Sequence, residues 1–197
     1  MRIAVFGATG RTGKLVVSEA LARGFEVRAL ARSPEKLEDL AAPGLSVVEG
    51  DARDAAAVTA TLEGTDVAIS ALGATSRDDP SELSETTRVL LGAMREHGPR
   101  RIVAVLSAMA LMKTVKPEWE AIAGEHRCNL EALRGSGLAW VAVCPSGLTD
   151  EPATDAIRTA VGKRAPEWTI SREDLASFVL DQTGSDDYLR QAVGISN

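Results

Sequence analysis

Short apolar runs alternate with longer segments of helical spacing along this chain. The runs are rich in β-branched and small apolar residues, and we predict strands at 2–6, 26–31, 46–49, 67–71, 101–106 and 139–144. Segments 12–23, 54–62 and 81–97 place their apolar residues at helical intervals. Strands that alternate with helices in this way predict an α/β fold, a Rossmann-like doubly wound parallel sheet. The strands are almost continuously hydrophobic, which is typical of a sheet covered by helices on both faces.

Local signals mark the ends of several helices and suggest a single domain. Gly24 is placed to end the first helix, and Ser33 precedes a proline at a helix start. Ser171 precedes an acidic turn and is predicted to cap a late helix. No linker divides residues 1–197, so we predict one domain with a small C-terminal elaboration after Pro145 that caps the sheet near a ligand.

Composition narrows the classes of partner. Lys and Arg number 22 against 28 Asp and Glu, and the net charge of −6 argues against a nucleic-acid partner. Cys128 and Cys144 are too few for a disulfide scaffold, and no cluster has metal-ligand spacing. The opening apolar run, 3–6, is too short for a membrane span. We therefore expect a cytoplasmic protein with no membrane or metal partner.

A glycine-rich turn follows the first predicted strand and opens the first predicted helix. Gly7 permits a sharp exit from the strand, Gly10 lets backbone N–H groups approach a pyrophosphate, and Gly13 allows close packing of helix on sheet. The helix N-terminus adds unpaired donors and the positive end of its dipole. The spacing is G-x-x-G-x-x-G. A turn without a ligand is the alternative, and a P-loop is disfavoured because no Gly-Lys-Ser/Thr follows.

Basic residues stand where an NAD-selective site has an acid. Arg32 lies 19 positions after Gly13, beyond the second strand, and its guanidinium suits a 2′-phosphate. Lys36 could add a second positive charge. We therefore expect NADP(H) rather than NAD(H), unless both side chains are only solvated surface charges.

Two further strand ends carry candidate coenzyme contacts. Asp51, followed by Ala52, can accept a hydrogen bond from the adenine amine, or alternatively cap the next helix. Leu72 and Gly73 follow a strand that ends in small residues, which would let a ribose or pyrophosphate lie against the backbone; the same residues would also suit a tight turn.

Several motifs together resemble the atypical short-chain dehydrogenase/reductases with an NmrA-like NAD(P)-binding fold, and within them the biliverdin and flavin reductases. These motifs are GATGRTG at the N-terminus, ARS after the second strand, GDARD after the third, LSA at Ser107, and segments 136–145 and 168–175. The resemblance implies a role in coenzyme binding for Gly7, Thr9, Gly10, Arg11, Thr12, Gly13, Arg32, Lys36, Asp51, Ala52, Leu72, Gly73, Ser107, Pro145 and Ser146.

The sequence departs from this family at three points. Gly147 stands where the reductases have an active-site histidine. Met109 and Met112 replace pocket aromatics, and methionine adapts to many apolar shapes without offering a flat platform. The Tyr-x-x-x-Lys pair of many short-chain dehydrogenases is missing, since the only tyrosine is Tyr188.

The remaining candidates for chemistry lie near the nicotinamide. Ser107 is the candidate catalytic residue, able to orient the carboxamide or relay a proton, unless it only caps a turn. Met109, Met112 and Trp119 flank the basic segment 113–117, which we interpret as a lid over a substrate pocket or, alternatively, as apolar packing. His126 is interpreted as a partly exposed helix residue, with a position facing the cleft as the alternative.

These observations favour an NADPH-dependent reductase that transfers hydride to a flavin or similar conjugated acceptor. Such acceptors can collect a proton from solvent, whereas ketone reduction needs a positioned acid. The alternatives are a non-catalytic NADP(H)-binding sensor of NmrA type and, less favoured, a quinone or ketone reductase. The expected partner is a small-molecule hydride acceptor, and the oligomeric state stays open.

Overall fold

A computed structural model describes residues 1–73 and 80–197. Its strands are β1 Arg2–Phe6, β2 Glu26–Ala31, β3 Leu45–Glu49, β4 Val67–Ser70, β5 Arg101–Val105, β6 Ala139–Pro145, β7 Gly147–Thr149, β8 Arg158–Val161, β9 Thr169–Ser171 and β10 Gln191–Ser196. Its helices are α1 Arg11–Ala22, α2 Ala55–Leu62, α3 Glu82–Glu96, α4 Glu120–Arg134 and α5 Arg172–Asp181.

Eight of these strands form one mostly parallel sheet in the order β3-β2-β1-β4-β5-β6-β10-β8. The first seven run parallel to their neighbours, and β8 pairs antiparallel with β10. The chain winds outward from β1 to β3 on one side and from β4 to β6 on the other. The order therefore reverses between β1 and β4, which is where ligands bind in doubly wound sheets. The predicted Rossmann-like fold is confirmed.

Helices cover both faces of the sheet, as the continuous hydrophobic strands predict. Side chains of β1 alternate between the two cores, with Ile3 and Val5 on one face and Ala4 and Phe6 on the other. Helices α1 and α5 pack on the first face, whereas α2, α3 and α4 pack on the second. Burial of each large apolar side chain contributes roughly 1.5–3 kcal/mol to the stability of the fold. These two cores hold the strand ends, and hence the loops between them, in fixed positions.

The segment after β6 does more than cap the sheet. It contributes β10 and β8 to the main sheet, and its strands β7 and β9 form a separate two-stranded parallel sheet. The Asp174 carboxylate anchors this region, because it accepts hydrogen bonds from the backbone N–H groups of Thr154 and Asp155 and from the hydroxyl of Ser171. The C-terminal elaboration is thus partly built into the sheet itself.

Some local predictions need correction. Pro34–Leu40 is a 3₁₀ helix rather than an α-helix, and the Ser33 side chain makes no capping hydrogen bond there. Ser171 does cap α5, where its hydroxyl accepts from the backbone N–H of Asp174. Within the described ranges, no helix is both long and apolar enough to cross a bilayer.

Candidate coenzyme and substrate site

The loops that follow β1 to β6 all emerge at one edge of the sheet, because these strands are parallel. Two cavities lie along that edge. The first is lined by residues that follow β1, β2, β3 and β4, and the second by residues that follow β5 and β6. Neighbouring strands lie roughly 4.8 Å apart, so the loops after β2 and β5, three strands apart, are separated by roughly 14 Å. An extended ligand across the reversal point would reach both cavities.

The turn after β1 has no room for side chains at two of its glycines. Gly7 has φ +80°, and a Cβ there would stand 2.5 Å from the carbonyl oxygen of Ala71. At Gly13 a Cβ would stand 2.1 Å from the carbonyl oxygen of Gly7. The contact at Gly7 shows that the turn packs directly on the end of β4. The contact at Gly13 shows that the start of α1 packs directly on the turn. Glycine at both positions is therefore a packing requirement.

The N-terminus of α1 offers backbone donors to a ligand. Gly10 is the N-cap residue, and no side chain caps the helix. The first free N–H groups of a helix carry the positive end of its dipole, and they suit a phosphate. Thr9 and Gly10 line the first cavity. Arg11 is exposed and forms an ion pair with Asp150, while Thr12 lies half-buried in the first turn.

Charged groups cluster at the other end of the first cavity. Arg32 lies 3.5 Å from Glu82 and 4.0 Å from Asp51. Asp51 is held more closely by Arg53, whose Nε and Nη2 each donate to it at 3.0 Å, and the backbone N–H of Arg53 adds a third bond. These hydrogen bonds lower the pKa of Asp51 to about 2. Arg32 therefore shares Asp51 with a closer cation, and its nearer carboxylate, Glu82, stands at 3.5 Å, beyond close hydrogen-bond distance.

The first cavity brings together most of the residues predicted to bind coenzyme. The predicted residues that line it are Gly7, Thr9, Gly10, Arg32, Asp51, Ala52, Leu72 and Gly73. Lys36 is not brought there: it lies exposed on the 3₁₀ helix, outside the lining. Asp51 does not cap α2 either, since that role belongs to Asp54, which accepts from the backbone N–H of Ala56.

The second cavity, of about 310 Å³, collects the six individual residues predicted to lie near the nicotinamide or the substrate, whereas no residue of the predicted lid segment 113–117 lines it. Those six residues are Ser107, Met109, Met112, Trp119, Pro145 and Ser146. Ser107 follows β5, and its hydroxyl oxygen accepts from the backbone N–H of Met109 at 3.2 Å. The serine therefore caps a turn and lines the cavity at once, so the two interpretations of Ser107 do not exclude each other.

Among the residues of this cavity that sequence reasoning missed are two large side chains. Arg164 and Trp168 line it from the loop between β8 and β9, and the Arg164 guanidinium stacks 3.9 Å from the centroid of the Trp168 ring. Trp168 supplies the flat aromatic surface that the methionines do not. Segment 168–175, which begins with Trp168, was recognised in the sequence. The position of this side chain could not be predicted, because it depends on the pairing of β7 with β9.

Gly147, in the place of the reductases' histidine, also lines the second cavity. Its N–H donates to the carbonyl oxygen of Trp168 at 2.8 Å, and a Cβ there would stand 3.0 Å from that same oxygen. Among the residues described, the lining contains no histidine, tyrosine, cysteine or carboxylate. The cavity is therefore apolar, with one cation and two serine hydroxyls, and it offers no protein acid.

His126 is not the partly exposed residue that we expected. It is buried in α4, with 7% of its surface exposed, and burial lowers its pKa to about 4. Its Nδ1 has no hydrogen-bond partner among the described residues, and it does not line the second cavity. The burial depends on the packing of α4 against other parts of the fold, which the sequence pattern did not reveal.

Comparisons with known proteins agree with this geometry. The model of a family described as NAD(P)H-binding matches residues 7–186. An uncharacterized protein of Mycobacterium tuberculosis is 33% identical over 145 residues, which are 73% of this chain and 14% of that protein. The chain thus spans a small part of the mycobacterial relatives that it matches, and what those whole proteins do is not carried over.

Solved structures share the fold over the whole chain. A protein from Burkholderia pseudomallei is 28% identical, with a TM-score of 0.86 and full coverage of both chains. The anaerobillin reductase ChuY from Escherichia coli is 22% identical, also with a TM-score of 0.86, and the match covers 100% of this chain and 97% of that one. The predicted NAD(P)-binding family and the Rossmann-like fold are confirmed.

Proposed function

The chain belongs to the NAD(P)H-binding family, and on that premise we propose that it is an NADPH-dependent reductase of flavins or similar conjugated acceptors. The residues present fit the coenzyme. Gly10 lines the first cavity without a side chain, and α1 begins there without a side-chain cap, so the backbone N–H groups at the start of the helix are open to a phosphate. The turn and the start of α1 would hold the pyrophosphate, and the adenine would lie toward Asp51 and Ala52.

Arg32 supports a preference for the 2′-phosphorylated coenzyme. Its side chain is 58% exposed at the first cavity, and its two carboxylate neighbours lie at 3.5 and 4.0 Å, beyond close hydrogen-bond distance. A phosphate can accept two parallel hydrogen bonds from a guanidinium, and these are stronger than the loose pairing present. We therefore assign the 2′-phosphate contact to Arg32, with Lys36 as a possible second cation only if its side chain reorients.

The observation that carries the proposed activity is the composition of the second cavity. The reduced nicotinamide supplies the hydride when the coenzyme is bound. Ser107, which lines this cavity, would orient the carboxamide, while Met109, Met112 and Trp119 would exclude water from the acceptor. The lining described above provides no proton donor of suitable pKa. This favours acceptors that take their proton from solvent, as flavins do, over ketones.

Steady-state oxidation of NADPH, followed by its absorbance, tests the proposal with flavin mononucleotide, a quinone, biliverdin and a simple ketone as acceptors. We expect turnover with the flavin and none with the ketone. Tight NADPH binding without turnover of any acceptor would instead support the non-catalytic sensor. Preferential turnover of the ketone would overturn the assignment, because it would require an acid that the cavity lacks.

A further inference from the structure

The second cavity holds one unneutralised cation in an otherwise apolar lining. Arg164 has no carboxylate partner among the described residues, and only its Nη1 is used, donating to the carbonyl oxygens of Pro166 at 3.2 Å and Glu167 at 2.9 Å. Its Nε and Nη2 have no partner in the same set. A guanidinium in this position, with donors to spare, favours an anionic group on whatever enters the cavity.

Several contacts hold this guanidinium in place. Nη1 ties it to the backbone, and its plane stacks on Trp168. That backbone is fixed in turn, because the Ser146 hydroxyl donates to the carbonyl oxygen of Glu167 at 3.0 Å and β7 pairs with β9. An anion would therefore meet a pre-oriented donor pair rather than a freely moving side chain, which lowers the entropy lost on binding.

Trp168 is the other unusual feature of the cavity. Its side chain is 68% exposed, whereas large aromatic residues are usually well covered. An exposed indole beside an apolar cavity offers a stacking surface for a flat conjugated ring. The combination of an open indole and an adjacent guanidinium matches a ligand that has a planar ring and an anionic tail.

We propose that Arg164 and Trp168 form an acceptor subsite selecting planar acceptors that carry a phosphate or carboxylate group. This inference rests on the proposed reductase function and names the substrate class of the same site. It also explains how a chain of net charge −6 could favour an anionic substrate: the general repulsion is screened within about 8 Å at physiological salt, whereas a local guanidinium acts in direct contact.

Matched pairs of acceptors test the subsite, since each pair shares one ring and differs in charge. Flavin mononucleotide and riboflavin differ by a phosphate group. Biliverdin and its dimethyl ester differ in whether the two carboxylates are charged. In the wild-type protein we expect a lower KM for the anionic member of at least one pair. Arg164→Gln removes one charged hydrogen bond to the anion, so it should raise the KM of the anionic member about tenfold and that of the neutral member by much less.

Three further variants separate charge from shape. Arg164→Lys should retain part of the preference, because it keeps the charge but loses the planar fork. Lys163→Gln removes an adjacent, exposed cation outside the lining and should change nothing. Trp168→Leu should raise the KM of both members of a pair by the same factor. Thermal unfolding of each variant checks that the fold is intact.

The outcomes distinguish this inference from the proposed function. An equal effect of Arg164→Gln on charged and neutral members, or no preference in the wild type, overturns the subsite while the reductase stands. If no acceptor is turned over, the proposed reductase activity is wrong. In that case the subsite is tested by equilibrium binding, measured as quenching of flavin fluorescence. Tighter binding of flavin mononucleotide than of riboflavin, lost in Arg164→Gln, would support it; equal affinities or no binding would overturn it.

Discussion

The Arg32 guanidinium lies 4.0 Å from the Asp51 carboxylate, across the carboxyl ends of the neighbouring strands β2 and β3. Asp51 is bound more closely by Arg53, so Arg32 lies at the cavity with its charge only partly offset. A cation at the end of β2 is what distinguishes a 2′-phosphate site from a 2′-hydroxyl site. This relationship makes the coenzyme preference testable at a single position.

Arg32→Asp should weaken NADPH binding far more than NADH binding. Loss of a bidentate charged contact, followed by repulsion from the new carboxylate, should raise the Kd for NADPH at least tenfold. Calorimetric titration with both coenzymes measures the effect. Equal losses for the two coenzymes would contradict the assignment of Arg32 to the 2′-phosphate.

Lys36→Asp tests the second predicted cation separately. Lys36 lies exposed outside the first cavity, so we expect less than a threefold change in the Kd for NADPH, within the range of a screened surface charge. An effect as large as that of Arg32→Asp would show that the 3₁₀ helix moves when the coenzyme binds.

Two glycines of the opening turn should respond differently to substitution. A Cβ at Gly10 would meet only the carbonyl oxygen of Gly7, at 3.3 Å, so Gly10→Val should fold but lose coenzyme binding as the side chain blocks the pyrophosphate. Gly13→Ala should instead destabilise the fold, because its Cβ would stand 2.1 Å from a backbone oxygen. Circular dichroism with thermal melting, alongside coenzyme titration, separates the two effects. Retained affinity in Gly10→Val would mean that the turn does not hold the pyrophosphate.

Ser107→Ala should lower kcat for the acceptor about tenfold while the Kd for NADPH changes little. Its hydroxyl lines the second cavity, where it would orient the carboxamide; the coenzyme would have many other contacts, so the hydride-transfer step should depend on this hydroxyl more than the affinity does. The loss of its hydrogen bond to the N–H of Met109 should cost about 1 kcal/mol of stability. Stopped-flow rates and unfolding curves measure the two quantities, and Ser107→Thr, which keeps the hydroxyl, should restore part of kcat. An unchanged kcat in Ser107→Ala would reduce Ser107 to a turn cap.

His126 should make stability depend on pH. Burial lowers its pKa from 6.5 to about 4, so the unfolded chain takes up a proton at a higher pH than the native protein does. Stability is therefore complete above pH 6.5 and falls as the pH drops toward 4, by on the order of 3 kcal/mol.

Urea midpoints measured across that interval test the effect in the wild-type protein and in one variant. His126→Gln should flatten this part of the profile, even if it lowers stability overall. A profile that stays the same in His126→Gln would assign the pH dependence to carboxylates.

Local sequence patterns predict much of the fold and the first cavity. The apolar runs place β1 and β2 at their observed bounds, and the other four predicted strands differ from the structure by one residue at one end. The glycine turn is equally local, because its constraints act between residues close in sequence and on the adjoining strand. Predicting Arg32 and Asp51 at the site needed only the rule that parallel strands end at one edge.

The C-terminal strands were beyond such patterns. β7 and β8 are short and largely exposed, so they lack the alternation of apolar residues that marks a strand. β10 is buried, but Gly194 interrupts its apolar run. The structure explains that glycine: a Cβ there would stand 2.3 Å from the carbonyl oxygen of Lys163, where the chain crosses close to β10.

By itself, the sequence determined the parallel sheet, its glycine turn and the basic residue at the coenzyme end, since each depends on hydrophobic periodicity or on near neighbours in the chain. Only the tertiary structure decided that Arg164 and Trp168 face the same cavity as Ser107, that Arg53 holds Asp51, and that His126 is buried. Those relationships depend on strand pairing and helix packing between distant segments. Their energies come from contacts that form only when the whole sheet is assembled.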